Sequence, residues 1–231
     1  MLAYSLGDCC DNEQSGLQII LYEEDFSMQI ITISREFGSG GRELGKRLAE
    51  LLHYDYYDRE IITAIAEKKE MNAQYVEQTL ENHGWRSIPL TYRHSFAGIQ
   101  TLQQMQIELL IEQSRIIKEI ARAGKDCVIV GRNADVLLEE YKPFRIFVCA
   151  GMDAKIRRCI ERSDKNEALS RKEVESNIRR IDKNRAKTCE MTTGSKWGDC
   201  KSYHLVINTT DWNIKELTPA VAEFVSCWFG R

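Results

Sequence analysis

The sequence predicts an α/β fold of three layers on a mainly parallel, five-stranded sheet. Short apolar, β-branched runs recur at about residues 29–33, 54–57, 127–130, 145–149 and 204–207. Runs without polar alternation suit strands covered on both faces. Stretches with helical spacing of apolar residues separate them, the alternation that builds parallel sheets. At 231 residues the chain can bury one full core and carry a smaller appendage.

Residues 28–53, MQIITISREFGSGGRELGKRLAELLH, organise the rest. The strand run Ile30–Ile33 leads to Gly38, Ser39, Gly40 and Gly41, then to a helical pattern with Leu44, Leu48, Leu51 and Leu52. Strand, glycine-rich turn and helix together aim backbone N–H groups and a helix N-terminus at a phosphate. Three glycines in four residues are entropically costly unless backbone must approach something closely. Set against the phosphate-loop motif G-x-x-x-x-G-K-[ST], with Gly40 on its second glycine, Arg35 falls on the first glycine, Gly41 on the lysine and Arg42 on the hydroxyl residue. The cradle is kept, and cations stand on either side of it in Arg35 and Arg42, whose guanidinium forks also suit phosphate. The candidate phosphate-binding residues are therefore Arg35, Gly38, Ser39, Gly40, Gly41, Arg42 and Glu43.

The remaining elements follow in order. His53–Tyr57 reads as a short strand that ends at Asp58-Arg59-Glu60. A helix is expected from Arg59 to about Lys69, with Ile61, Ile62, Ile65 and Ala66 on one face. Asn72 is placed to cap another through Leu80. Residues 83–97 have aromatic, proline and basic residues without a period and read as a long loop, whose His83 and His94 receive no role. A long helix is predicted over 101–123, closed by Gly124. The buried strand Cys127–Val130 runs into Gly131-Arg132-Asn133-Ala134-Asp135. Ligands of open α/β sheets bind beyond such strand ends, so Arg132 and Asp135 are placed to face the glycine turn, with local capping and pairing as the alternative. Pro143 ends a helix ahead of the strand at 145–149. Asp153–Ser163 is a basic helix with Lys155, Arg157, Arg158 and Arg162. Ser170 caps the next, which carries Arg179, Arg180, Asp182, Lys183 and Arg185; Asp182 sits within a helical turn of Arg179 and Arg185 and is expected to pair with one of them. After the strand at 204–207 a terminal helix, bent at Pro219, turns Val221, Phe224, Val225 and Trp228 inward.

Composition narrows the class. No run approaches the roughly 18 apolar residues of a membrane span. The eight cysteines, at 9, 10, 127, 149, 159, 189, 200 and 227, form no C-x-x-C pair, so zinc is not expected and buried free thiols in a reducing cytoplasm are. The net charge of −3 hides a polarised distribution: residues 1–27 hold six acids and no Lys or Arg, whereas 155–187 hold 12 basic against 6 acidic side chains. The acidic stretch is expected to be a loosely ordered extension. The basic one could face nucleic acid, a small anion or solvent; it lacks the interleaved aromatics of a base-stacking platform, and its place in the chain favours the small anion.

Taken together the motifs resemble the cytidylate-kinase-like branch of the P-loop nucleoside monophosphate kinases. Residues 34–43 (SREFGSGGRE) are similar to that branch's own modified loop, and Asp58-Arg59-Glu60 stands where these kinases place the Asp that begins the monophosphate-binding helices. Val130–Asp135 resembles their G-R-D segment, whose arginine holds the acceptor phosphate. Cys149–Lys155 resembles their T-A-s-x-E-x-R, Asp182–Ala186 the D-R-N-R-A of an arginine-rich lid, and Tyr203–Thr210 the last strand with its I-D/N-T. The similarity covers about residues 28–229. It implies a P-loop NTPase fold with a helical monophosphate-binding region over 58–123 and a lid over 155–201. It also implies transfer of the ATP γ-phosphoryl group, with Mg²⁺, to a nucleoside monophosphate, pyrimidine favoured, or a similar small acceptor. Arg185, Arg179, Arg180 and Asp182 would then be the catalytic lid residues, and Asp58, Arg59, Arg132 and Asp135 would bind the acceptor; metal ligands and oligomeric state stay unassigned. Partners would be small nucleotides, with neither membrane nor nucleic acid. Four positions depart from the pattern: Gly41 for the loop lysine, Arg42 for the hydroxyl, Val130 for an acid and Asn133 for an aspartate. They leave a second function open, a non-catalytic nucleotide- or phosphate-binding module on a kinase fold.

Overall fold

The computed structural model describes residues 28–81, 96–163 and 170–230. The acidic extension 1–27, and with it Cys9 and Cys10, and the stretch containing His83 and His94 lie outside these residues. Five parallel strands form one sheet: β1 (Ile30–Arg35), β2 (Asp55–Tyr57), β3 (Cys127–Val130), β4 (Phe144–Cys149) and β5 (Leu205–Asn208), in the order β2-β3-β1-β4-β5. The helices are α1 (Gly41–Leu52), α2 (Arg59–Lys68), α3 (Ala73–Glu81), α4 (Phe96–Arg122), α5 (Ala134–Leu137), α6 (Met152–Arg162), α7 (Arg171–Thr193) and α8 (Ile214–Phe229).

The unalternating strands have two covered faces. Along β1 and β3, Ile30, Cys127 and Ile129 point into a core with Ile61, Ile65, Leu109 and Ile117 of α2 and α4. Their neighbours Ile31, Ile33, Val128 and Val130 point into a second core with Leu44 and Leu48 of α1 and Val221 and Val225 of α8. These two cores make the three layers. A smaller cluster of Ile156, Val174 and Ile178 joins α6 to α7, with Phe37 packed against it.

Local signals act as the chemistry requires. Asn72 Oδ1 accepts the Gln74 and Tyr75 N–H groups at the head of α3. Ser170 and Glu173 form a reciprocal capping box at the head of α7. Three details differ from the sequence expectation. β1 runs through Ser34 and Arg35, which pair with Phe147 and Val148 of β4. α4 begins at Phe96, so the last two residues of the expected loop are helical. Phe224 is 44% exposed: Val221 and Val225 are the α8 side chains that face the core, and the Phe224 ring stands 5.9 Å from that of Phe144. No helix among the described residues is long and apolar enough to cross a membrane.

Candidate active site

The glycine turn leaves the carboxyl end of β1. Glu36 N–H donates to Val148 O at 3.0 Å, keeping the chain on the sheet one residue past the strand. Gly38 and Gly40 then take φ of +76° and +86°, a region side-chain-bearing residues rarely enter. α1 closes its first bond from Leu44 N–H to Gly40 O at 2.9 Å. The N–H groups of Gly41, Arg42 and Glu43 precede that ladder, as at any helix start, and are available to an anion. Ser39 instead braces the turn. It is fully buried, and its hydroxyl donates to Glu36 O at 2.8 Å. Its carbonyl accepts from Thr209 Oγ1 at 2.6 Å and from Arg158 Nη1 at 3.3 Å. Arg158 also reaches Thr209 O at 2.5 Å and Trp212 O at 3.1 Å, clamping the turn to the loop after β5.

Arginines crowd one carboxylate beneath the turn. Asp58, 2% exposed, takes Arg42 Nε at 2.5 Å and Arg35 Nη2 at 3.5 Å. Arg35 is itself 8% exposed. Burial pushes its guanidinium down to about 9, and the charges of Arg185, Arg132 and Arg42 push the same way while only Asp58 opposes them. Arg185 donates from Nη1 to Arg35 O at 3.1 Å and lies over the Phe37 ring at 5.7 Å. Arg132 arrives from the turn after β3, where Gly131, Arg132 and Asn133 all have positive φ, at 76°, 61° and 54°. Two consecutive non-glycine residues in that region store strain of about 1–3 kcal/mol each. Gln113 Nε2 to Arg132 O at 3.4 Å and Asn133 Nδ2 to Thr192 Oγ1 at 2.7 Å hold it.

Two hollows share this cluster. The larger, about 630 Å³, lies over the turn, between α6, α7 and the head of α2, and is lined by Arg35, Arg42, Arg59, Arg158, Arg162 and Arg185. Its size is within the ~300–1,000 Å³ usual for small-molecule sites. The smaller, about 60 Å³, is lined by Arg132, Leu80, Leu110 and Trp197 among others. Arg35 and Arg185 line both.

The remaining candidates are distributed as follows. Glu43 pairs with Arg47 at 3.0 Å and with Arg162, tying α1 to α6. Arg59 is at the mouth of the larger hollow, 3.8 Å from Glu77. Asp135 is buried behind the cluster, accepts from Ser34 Oγ at 3.4 Å, and has its carboxyl pushed up by burial; it lines neither hollow. Arg179 is on the exposed side of α7 with Glu175 at 2.7 Å, and Arg180 donates to Asn177 Oδ1 at 2.7 Å. Asp182 does not pair with Arg179; it accepts the Phe37 N–H at 2.7 Å and the Lys155 ammonium at 3.1 Å. Arg158, Arg162, Glu36 and Lys155 were not among the candidates. The first two stand four apart on one face of a basic helix, a spacing that could have singled them out. The other two lie within segments that carry the family resemblance, Glu36 in 34–43 and Lys155 at the end of 149–155, without a role of their own.

A glycine turn between β1 and α1 of a parallel sheet ordered 2-3-1-4-5, with helices on both faces, defines the class: the fold of the small P-loop kinases. A shikimate kinase from Bacteroides thetaiotaomicron superposes with a TM-score of 0.50 at 14% identity, over 86% of this chain and 99% of that one. A protein of uncharacterised function from Eubacterium ventriosum superposes with a TM-score of 0.63 at 23% identity, over 86% and 99%. A cytidylate kinase from Halobacterium salinarum is 24% identical over 200 residues, 86% of this chain and 90% of its own. The sequence profile of the cytidylate kinase-like family matches residues 30–211. The chain belongs to that family.

Proposed function

We propose that this protein is a phosphotransferase that moves the γ-phosphoryl group of ATP to a nucleoside monophosphate, pyrimidine favoured, in the cytoplasm. One observation carries this above all: Arg35 and Arg42 pair with the buried Asp58, and the charges of Arg185 and Arg132 act on the same Arg35 guanidinium, a grouping of cations suited to phosphates. ATP phosphates would occupy the larger hollow against the first-turn amides of α1. The acceptor phosphate would meet Arg132 in the smaller one. Arg35 and Arg185, common to both, then flank the phosphoryl group in passage. Such transfer asks the protein mainly for alignment and for cations where charge spreads over the equatorial oxygens. The lid of α6 and α7 would add Arg158, Arg162 and Arg185 and exclude water.

The residues fit the phosphates better than a metal. Mg²⁺ commonly uses one or two carboxylates with substrate phosphates. Arg42 occupies the motif's hydroxyl position, Asp58 is already shared by two guanidiniums, and no cluster of three or more metal-ligating side chains occurs among the described residues. No step here runs through a metal. The second reading, a non-catalytic binder, is favoured by Gly41 at the lysine position. Labelled ATP incubated with each common nucleoside monophosphate separates the two, with ATP binding followed by calorimetry. Label transfer to a monophosphate supports the kinase; ATP binding without transfer to any of them establishes the binder.

A further inference from the structure

The lid is tied to the glycine turn through one buried ammonium. Lys155 on α6 is 5% exposed, where lysines are rarely found unless paired. Its Nζ donates to Glu36 Oε2 at 3.1 Å and to Asp182 Oδ2 at 3.1 Å. The same Glu36 oxygen accepts the Ala150 N–H at 3.1 Å, and Asp182 Oδ1 accepts the Phe37 N–H at 2.7 Å. One lysine therefore joins the end of β1, the glycine turn, the approach to α6 and the middle of α7. Arg185 is three residues beyond Asp182 on the same helix and touches Arg35 O. The apolar cluster of Ile156, Val174 and Ile178 holds α6 against α7 but is non-directional. Charge-assisted hydrogen bonds with fixed partners set the rotation and register that a packed cluster leaves loose.

We propose that Lys155 is a positioning residue: by bridging Glu36 and Asp182 it sets the register of α7 against the glycine turn and thereby places Arg185 beside Arg35. Its consequence for turnover rests on the proposed kinase activity; the bridge itself does not. Removing the ammonium leaves two half-buried carboxylates facing each other, so the lid is pushed off the turn.

The test uses the full chain with Lys155→Met, Asp182→Asn, Arg185→Ala and the Lys155→Met/Arg185→Ala double variant. Asp182→Asn keeps an oxygen for the Phe37 N–H and leaves the Lys155–Glu36 pair intact, so it is read even if Lys155→Met fails to fold. Amide exchange is followed at Phe37 and over residues 178–186, with the β3 and β4 amides as the reference for global stability. Exchange at Phe37 and α7 is expected to rise about tenfold in Lys155→Met and less in Asp182→Asn, with the strands unchanged. Turnover is expected to fall about tenfold in Lys155→Met with the KM for ATP nearly constant, and by less than about twofold further when the same change is made in Arg185→Ala, since both act through one guanidinium. Unchanged exchange at Phe37 and α7 in both single variants overturns the proposal. So does an undiminished loss of turnover in the Arg185→Ala background. If the parent phosphorylates nothing, the kinase assignment fails by itself, and the exchange measurements still decide the bridge.

Discussion

Arg35 is expected to destabilise the ligand-free protein. Its guanidinium is pushed down to about 9, by burial first and then by Arg185; at about 1.4 kcal/mol per pH unit of displacement this is a penalty of several kcal/mol on the charged form. For a base lowered on folding the penalty is fully present below about pH 9 and fades only as the pH rises toward the unfolded value. Arginine keeps its proton at pH 7, so the whole penalty applies there. Arg35→Met removes the charge and keeps an unbranched stem, and Asp58 retains Arg42 at 2.5 Å. Exchanging buried ionic groups for apolar ones of similar size is worth up to about 4 kcal/mol in favour of the variant. For a chain of 231 residues each kcal/mol moves Tm by roughly 2–4 °C. The assay is calorimetric melting at pH 7 with and without ATP. The parent should gain about 2.7 kcal/mol of stability with ATP at 100 times its Kd; the variant should melt higher than the parent without ATP and show no shift with it. A variant that melts lower and keeps the full ATP shift would refute the electrostatic account and make Arg35 a structural partner of Asp58.

Arg132→Ala should weaken acceptor binding by about 1.5–3 kcal/mol, the worth of a charge-assisted contact, with ATP affinity nearly unchanged by calorimetry; equal loss of both would move Arg132 out of the acceptor site. Arg185→Ala should lower turnover on the order of 10²–10³ with small changes in the Michaelis constants, as for loss of one preorganised donor. Turnover within a few-fold of the parent would reduce the lid to a solvated basic pair. Gly131→Ala would set a Cβ 1.5 Å from Arg35 Nη1 at a φ of +76°. It should therefore abolish ATP binding, and a variant that binds normally would show that Arg35 is not needed where it stands.

Much of this was legible in the sequence, for identifiable reasons. Buried parallel strands need apolar residues at every position, so β1, β3 and β4 stand out from the chain. The glycine turn is legible because positive φ at Gly38 and Gly40 requires glycine. Partner choice was not. Helical spacing offers Asp182 to Arg179 or Arg185, but the ammonium that donates to it in the fold is that of Lys155, 27 residues away, while Arg179 pairs with Glu175 on the exposed side of α7, where an ion pair is worth little. Ser39 sits in the candidate phosphate-binding stretch yet spends its hydroxyl on the turn itself. Glu36 has no assigned role in the loop stretch 34–43 until the sheet brings Ala150 and Lys155 to it.

The missing loop lysine has a cause in packing. A Cβ at Gly41 would lie 2.6 Å from Arg35 Cβ and 3.1 Å from its Cγ, because the Arg35 stem passes under the first turn of α1. Two of the three departures from the phosphate-loop motif, arginine at its first glycine and glycine at its lysine, thus read as one exchange: the cation moves from the helix to the strand, and the helix gives up its side chain to make room. Gly41→Lys alone should be destabilising by about 1–3 kcal/mol, the usual cost of overpacking. Arg35→Gly alone should empty the space beneath α1 and remove the buried charge. Made together, they should show a favourable coupling, with the double variant more stable than the two separate changes predict when unfolding is followed in urea. Additive effects would mean that the stem of Arg35 can move aside at little cost, and that the glycine at 41 answers to something other than the arginine at 35.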